Sequence, residues 1–316
     1  VTDASLVLGY VDPAFFLGGA MKLEVERAVE TIEKEVARPL RLSLPEAALA
    51  VLRLMSENMV GAIEEITIHQ GMDPRGAVLI GGGGAAGLNA VTVARRLGCK
   101  IIVIPEVGAA LSAAGALMSD LHADYRTLFY TTVEHFDFDR ANATLDALKA
   151  KCRAFIEGPG AGAVEHAIDF FAEARYRDQI WEIDLPLRVA RFKNLTDLAR
   201  VREDFDRYHE EVFVFRDPGS DVQFVGWRAT VRCRLRRKAL GKLRREKAYE
   251  AKVPSSRRAY FNGKWVEKTR VELLEAMKPD HPVKGPAIVE SAFTTVVIEP
   301  GAEVVRKRSG SLMITP

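Results

Sequence analysis

AVLIGGGGAAGLNAVTVARRLGCKIIVI, residues 77–104, decides the fold class. Ala77–Ile80 is a short apolar run suited to a buried strand, and Lys100–Ile104 is a second. Between them lie four consecutive glycines, Gly81 to Gly84, and a helical stretch from about Gly87 to Leu97 that Gly98 terminates. Strand, glycine turn, helix and strand in this order form a βαβ unit of a layered α/β domain. The glycines have a chemical meaning as well. Without Cβ atoms a main chain can adopt positive φ and approach a ligand closely, and the helix that follows offers free N–H groups. The segment is not a Walker A loop, because no Gly-Lys-Ser/Thr follows, and it is not a GxGxxG loop followed by an acidic ribose reader, since the nearest candidate, Glu106, lies past the second strand. It could seat phosphate or a purine nucleoside; a tight, closely packed turn is the alternative reading. Asn89, one turn into the helix, is a candidate ligand contact or a local backbone partner.

On the N-terminal side, Leu23, Val25, Ala28, Val29, Ile32 and Val36 repeat with helical period over residues 22–38. Ser43 and Glu46 form a capping-box pattern with Pro45 early in the helix they open, which runs toward Gly71. These two helices predict a hairpin with its break near Pro39. On the C-terminal side, Gly108–Met118 is a small-residue helix, and Gly108-Ala-Ala-Leu-Ser-Ala-Ala-Gly115 favours close packing. Thr127–Val133 then reads as a strand and 139–156 as a helix ended by Gly158-Pro-Gly160, with room for another. Residues 171–187 suggest a strand or hairpin, 195–213 a helix with Thr196 as a possible cap, and 223–235 an alternating strand. Asn262-Gly263 is a hairpin signal, and the tail from Arg257 reads as short strands and turns. The domain reading is therefore 1–125, with a helical insertion at 20–70, then 126–250 as α+β and 251–316 as a small β module.

Composition excludes several classes. The chain has 316 residues, 48% of them hydrophobic, and a formal net charge of +2, so nothing drives it globally toward nucleic acid or a membrane. There is no apolar run of membrane-spanning length. Cys99, Cys152 and Cys233 are odd in number and far apart, which argues against a disulfide framework or a cysteine metal site and fits a reducing cytoplasm. The six histidines have no metal-ligand spacing, and neither HExxH nor GxSxG occurs. No metal ligand and no catalytic residue is singled out. Asp3 and Asp12 could face a cation or substrate, although Asp12-Pro13 is equally a turn starter. Ten basic residues between Arg228 and Lys247 suggest either a surface for an acidic partner or RNA, or a solvated strand face with a basic helix. Sparse aromatics there argue against single-strand binding.

Several motifs together resemble the hydantoinase A/oxoprolinase family. They are Thr2-Asp3-Ala4, Leu8-Gly9-Tyr10-Val11-Asp12-Pro13, Phe16-Leu17-Gly18-Gly19, Gly71-Met-Asp-Pro-Arg75, the glycine loop, and Pro105–Gly115. Downstream, Arg175-Tyr176, Gln179, Glu182, Gly285-Pro-Ala-Ile-Val-Glu290, Thr294-Thr295 and Pro300-Gly301 continue the likeness in order. The Gly-Tyr-Val-Asp-Pro and Phe-Leu-Gly-Gly stretches look closest to acetone and acetophenone carboxylase subunits. The resemblance implies an α/β half of the actin/Hsp70/acetate-kinase kind with a helical hairpin insertion, followed by an α+β C-terminal module rich in short strands. It implies ATP and Mg²⁺ as cofactors, with Gly81, Gly82, Gly83 and Gly84, and also Asn89, on the adenosine side. The family's Asp-Thr-Gly-Gly-Thr phosphate motifs are expected upstream of Val1, so a partner chain or a preceding segment would hold the phosphates and the ion. Ala85-Ala86 and Asn89 depart from the family's usual proline and histidine. Three functions follow as expectations: a subunit of a ketone carboxylase, a subunit of a cyclic amide hydrolase, or an assembly subunit that keeps only the fold. All imply a hetero-oligomeric complex in the cytoplasm.

Overall fold

The computed structural model describes residues 1–69, 71–237 and 254–316. The chain divides into two compact units, Val1–Leu117 with Leu243–Pro316, and Met118–Lys242. The first begins with α1 (Thr2–Val7) and a loop through Gly19. Next comes α2 (Val25–Ile32), which runs through a π turn, Glu33–Ala37, into α3 (Arg38–Leu40). Arg41, at φ 54°, reverses the chain, and α4 (Leu44–His69) returns beside α2, so the expected helical hairpin is present. Ser43 and Glu46 do meet at its start: the Ser43 backbone N–H donates to Glu46 Oε2 at 3.0 Å, and the Ser43 hydroxyl donates to the same oxygen at 2.5 Å. Ala28, Ile32 and Ala37 are buried against Ala47, Ala48 and Leu52, where small side chains allow close approach.

β1 (Val78–Ile80), the glycine turn, α5 (Ala90–Leu97) and β2 (Ile101–Ile104) form the predicted unit, with β1 and β2 parallel and Gly98 left-handed at φ 72°. Before α5, a short 3-10 turn covers Ala86–Leu88. α6 (Leu111–Met118) ends this half.

The second unit contains β3 (Leu121–Thr132), α7 (Phe138–Glu157), β4 (Glu165–Tyr176), β5 (Ile183–Leu187), α8 (Leu195–Phe213) and β6 (Val222–Arg234). Its sheet is antiparallel throughout, in the order β3-β6-β4-β5. Trp227 at its centre is fully buried and its indole N–H donates to the Phe129 carbonyl at 3.0 Å, which satisfies the one polar atom of a large apolar side chain. Two local expectations are corrected. The cap of α8 is Asn194, whose side chain accepts from the N–H groups of Thr196 and Asp197, and the segment after Gly160 enters β4 without a further helix.

The remaining strands are β7 (Ser256–Phe261), β8 (Lys264–Leu273), β9 (Pro282–Lys284), β10 (Ala287–Glu290), β11 (Thr295–Ile298), β12 (Glu303–Arg306) and β13 (Leu312–Thr315). Asn262 and Gly263 both take positive φ, 49° and 83°, as a two-residue type I′ hairpin requires. These strands do not make a module of their own. β13 pairs antiparallel with β2, giving a five-stranded sheet β1-β2-β13-β12-β9, and β11-β10-β8-β7 forms a second sheet. The physical reason is β2 itself: its second edge and its buried Ile102 and Ile104 need a partner, and Leu312 and Ile314 supply one in the same core. The second sheet also shares a core with α1, α2 and α4 through Tyr260, Phe261, Val271 and Ile288. Among the described residues no helix is long and apolar enough to cross a membrane.

Candidate functional site

In the first unit three loops converge on a cavity of about 200 Å³: the segment after α1, the glycine turn, and the β10–β11 connection. Its lining includes Asp12 and Phe15–Leu17 from the first, Gly84, Ala85 and Leu88 from the second, and Glu290–Thr295 from the third.

The four glycines divide into two pairs. A Cβ on Gly81 would meet Ile104 Cδ1 at 2.3 Å, and one on Gly82 would meet Leu111 Cδ2 at 2.6 Å, so these two let the turn pack against β2 and α6. Gly83, at φ 111°, has open space where a Cβ would stand, and Gly84 has only the Phe293 carbonyl oxygen at 3.4 Å. The sequence offered a closely packed turn or a ligand seat as alternatives; Gly81 and Gly82 are closely packed, while Gly83 and Gly84 have room where a Cβ would stand. Gly87 also packs, since its Cβ would fall 2.5 Å from the Thr295 carbonyl oxygen.

The β10–β11 turn is fixed by its own bonds. Ser291 N–H donates to the Thr294 carbonyl at 2.9 Å, and the Ser291 hydroxyl oxygen accepts from the N–H groups of Phe293 and Thr294. The Thr294 hydroxyl donates to the Gly84 carbonyl at 3.0 Å and fastens this turn to the glycine loop. Opposite, Leu17 sits at φ 51° and ψ 43°, an uncommon left-handed conformation for a leucine that begins a run continuing through Gly18 and Gly19. Leu17 and Phe293 are both exposed at the cavity, 49% and 72%.

Beneath the apolar walls lies a buried charge cluster. Arg257, on β7, donates through Nε and Nη2 to the carbonyls of Gly9 and Tyr10, both at 2.9 Å, and through Nη2 to Glu290 Oε1. Its Nη1 lies 3.7 Å from Asp12 Oδ2. Glu290 is 1% exposed, and its second oxygen, Oε2, has no hydrogen-bond partner; neither has Arg257 Nη1. Burial pushes the Glu290 carboxyl above the usual carboxylate range, and the Arg257 guanidinium pulls it back part of the way. Asp12 Oδ1 accepts from the Ala14 N–H at 2.8 Å, so Asp12 is a turn residue and a cavity residue at once.

Asn89 stands apart from this cavity. It is buried at the start of α5, where its Nδ2 donates to Ser56 Oγ at 3.2 Å and to Met59 Sδ at 3.3 Å. It lines a neighbouring cavity with Tyr10, Arg53 and Glu299, and its bond to Ser56 joins α5 to α4. Asp3 is absent from the lining of the Gly84 cavity. Of the basic stretch, Arg228 is ion-paired with Asp124 and Asp184, and Arg234 with Glu165; the part beyond Arg237 lies outside the described residues. Among the described residues no group of three or more His, Cys, Asp or Glu side chains could hold a metal ion. Arg257 carried no signal in the sequence beyond its place at the head of a strand. Glu290 and Thr294 stood within recognisable motifs, but their roles emerge only where distant segments meet.

The model of the hydantoinase/oxoprolinase C-terminal domain matches residues 138–308, and that of hydantoinase/oxoprolinase matches residues 1–125. The chain belongs to the hydantoinase/oxoprolinase family. Within this family it is 31% identical to caprolactamase subunit alpha of Pseudomonas jessenii, over 100% of this chain and 46% of that one. Identity is lower, 24%, to the acetone carboxylase beta subunit of Xanthobacter autotrophicus, over 96% of this chain and 44% of the other. For the acetophenone carboxylase gamma subunit of Aromatoleum aromaticum it is 26%, over 95% and 42%. The sequence's leaning toward the carboxylase subunits is thus corrected by the higher identity to the caprolactamase. Two solved structures share the fold. The ATP-dependent caprolactamase of Pseudomonas jessenii superposes with a TM-score of 0.74 at 30% identity, and nucleotide-free acetone carboxylase, from work on ATP-dependent acetone carboxylation, with 0.76 at 25%. They cover 100% and 99% of this chain and 46% of each of theirs, so the chain spans about half the length of the relatives it matches.

Proposed function

We propose that the first unit is the second lobe of an actin/Hsp70/acetate-kinase-like ATP site and that the cavity beside Gly84 seats the purine nucleoside. The observation that carries this reading is Gly84, whose only neighbour within 4 Å of a Cβ would be the Phe293 carbonyl oxygen, at the wall of a largely apolar cavity. Gly84 brings its main chain to the cavity wall, Leu17 and Phe293 offer surfaces to the faces of a flat ring, and the Thr294–Gly84 bond holds two walls in fixed relation. A bound ligand there meets a preorganised site and costs little ordering. Gly81 and Gly82 serve as the packed base of the loop. In this reading Asn89 supports α5 and makes no contact with the nucleotide.

The residues described here suit the nucleoside and do not suit the ion. Phosphates and Mg²⁺ belong, in this reading, to a partner chain or a segment that precedes Val1 in the complete subunit. ATP, when bound, supplies a phosphoryl group that activates an unreactive carbonyl compound, and positioning is most of what a protein contributes to such a transfer. The complete enzyme is then a hydrolase of a cyclic amide, the reading favoured by 31% identity to a caprolactamase subunit. A ketone carboxylase is the second reading, supported by the likeness to the acetone carboxylase structure.

ADP release by the complete enzyme, meaning the full-length subunit with its partner, separates them. The first reading expects release that depends on a lactam such as caprolactam or 5-oxoproline. Release that requires a ketone together with bicarbonate would instead establish the second. An assembly that binds no ATP would eliminate both and leave a structural role.

A further inference from the structure

We propose that Glu290 is a specificity-determining residue of this cavity, and that its unpartnered carboxylate oxygen accepts a hydrogen bond from the exocyclic amine of an adenine base. The inference rests on the nucleotide reading above and goes beyond it by naming how the base is chosen. Glu290 is among the most buried charged side chains of the unit, 1% exposed, and it lines the cavity. One of its oxygens is taken by Arg257, while Oε2 is buried with no partner in the fold. A buried acceptor left unmade is costly, and this one belongs to a residue that lines the cavity, so a ligand that brings a donor to it completes the site.

The neighbouring acceptors Asp12 and Ser291 are already engaged. Asp12 Oδ1 takes the Ala14 N–H and Oδ2 faces Arg257, and the Ser291 oxygen holds the turn. Among the described residues Glu290 Oε2 is the one buried side-chain acceptor without a partner, and it belongs to a residue lining a largely apolar cavity. An adenine matches that pattern: two apolar faces, and an amine at one edge. A purine with an oxygen at the same position would set its acceptor against a carboxylate, and one with hydrogen there would leave Oε2 as it is. Discrimination of this kind is large because the penalty falls on the buried protein group.

The test compares ATP with inosine triphosphate and with purine-riboside triphosphate, which lacks the 6-substituent, by calorimetric binding to the complete enzyme. Loss of one hydrogen bond to a buried charged group predicts at least about tenfold weaker binding of both analogues. Because the perturbation is in the ligand, the test survives if Glu290 variants fail to fold. Glu290→Gln, which keeps the shape and removes the charge, should narrow the gap between ATP and inosine triphosphate. Equal affinity for ATP and purine-riboside triphosphate would overturn the role of Glu290 and leave the nucleotide reading standing. No binding of any of the three would overturn both.

Discussion

Gly84→Ala and Gly87→Ala should part stability from ligand binding within one loop. At Gly87 the added methyl would lie 2.5 Å from the Thr295 carbonyl oxygen and 2.9 Å from Val296 Cα. Both are main-chain atoms of a strand and cannot swing aside, so overpacking should destabilise the unit by about 1–3 kcal/mol. At Gly84 the methyl meets only the Phe293 carbonyl oxygen, at 3.4 Å, and the backbone is not left-handed. The fold then gains rather than loses, by about 0.4–1 kcal/mol, because alanine restricts the unfolded chain. A ligand resting against the Gly84 main chain has to move outward to clear the new methyl. We expect at least about tenfold weaker nucleotide binding, about 1.4 kcal/mol. Urea unfolding measures the first effect and calorimetric titration of the complete enzyme with ATP the second. A Gly84→Ala protein that binds ATP as the wild type does, while Gly87→Ala unfolds as expected, would refute the claim that this wall touches a nucleotide.

Three further outcomes are expected. Arg257→Met strands Glu290 as an unpaired buried carboxylate and should cost about 3–5 kcal/mol near neutral pH; protonation of Glu290 relieves the charge, so the deficit should shrink as pH is lowered in chemical denaturation series. Asn89→Ala removes the bond to Ser56 and should lower stability by about 1 kcal/mol without changing ATP affinity, and a large loss of affinity would return Asn89 to the site. The Tyr176 phenol is pushed up to about 12, first by burial and then by its bond to Asp206, from 10.0. A raised value means that the unfolded chain ionises first. The contribution is therefore complete below about pH 10 and disappears as pH rises through 12, and Tyr176→Phe should lose stability less steeply over that window. Unfolding curves at pH 9 and 11.5 check this, and parallel losses in both proteins would contradict it.

The local grammar of this chain was largely legible. The βαβ unit, the helix over 195–213 and the Asn262-Gly263 hairpin follow from glycine placement and periodicity, which act over a few residues. The pairing of β2 with β13 was not legible, because nothing near Ile102 encodes Ile314 as its neighbour. The same holds for the cavity. The glycine turn was readable as a special main-chain position, but the cavity beside Gly84 is completed by Thr294 and Glu290, far along the chain, and Glu290 is held by Arg257. Asn89 shows where local reasoning stops. A polar residue one turn into a helix after a glycine loop looks like a ligand contact, yet Ser56 on α4 is the partner that satisfies it. The buried charge cluster of Arg257, Glu290 and Asp12 is assembled by chain topology, from segments that no local reading joins.

Photolabelling of the complete enzyme with 8-azido-ATP, followed by peptide mapping, bears most directly on where the nucleoside lies. Label should fall on the peptides containing Phe15–Leu17, Gly84–Leu88 or Ser291–Thr295, and excess ATP should abolish it. Label that ATP displaces but that maps to residues 118–237, with none on those three peptides, would contradict the assignment of the cavity.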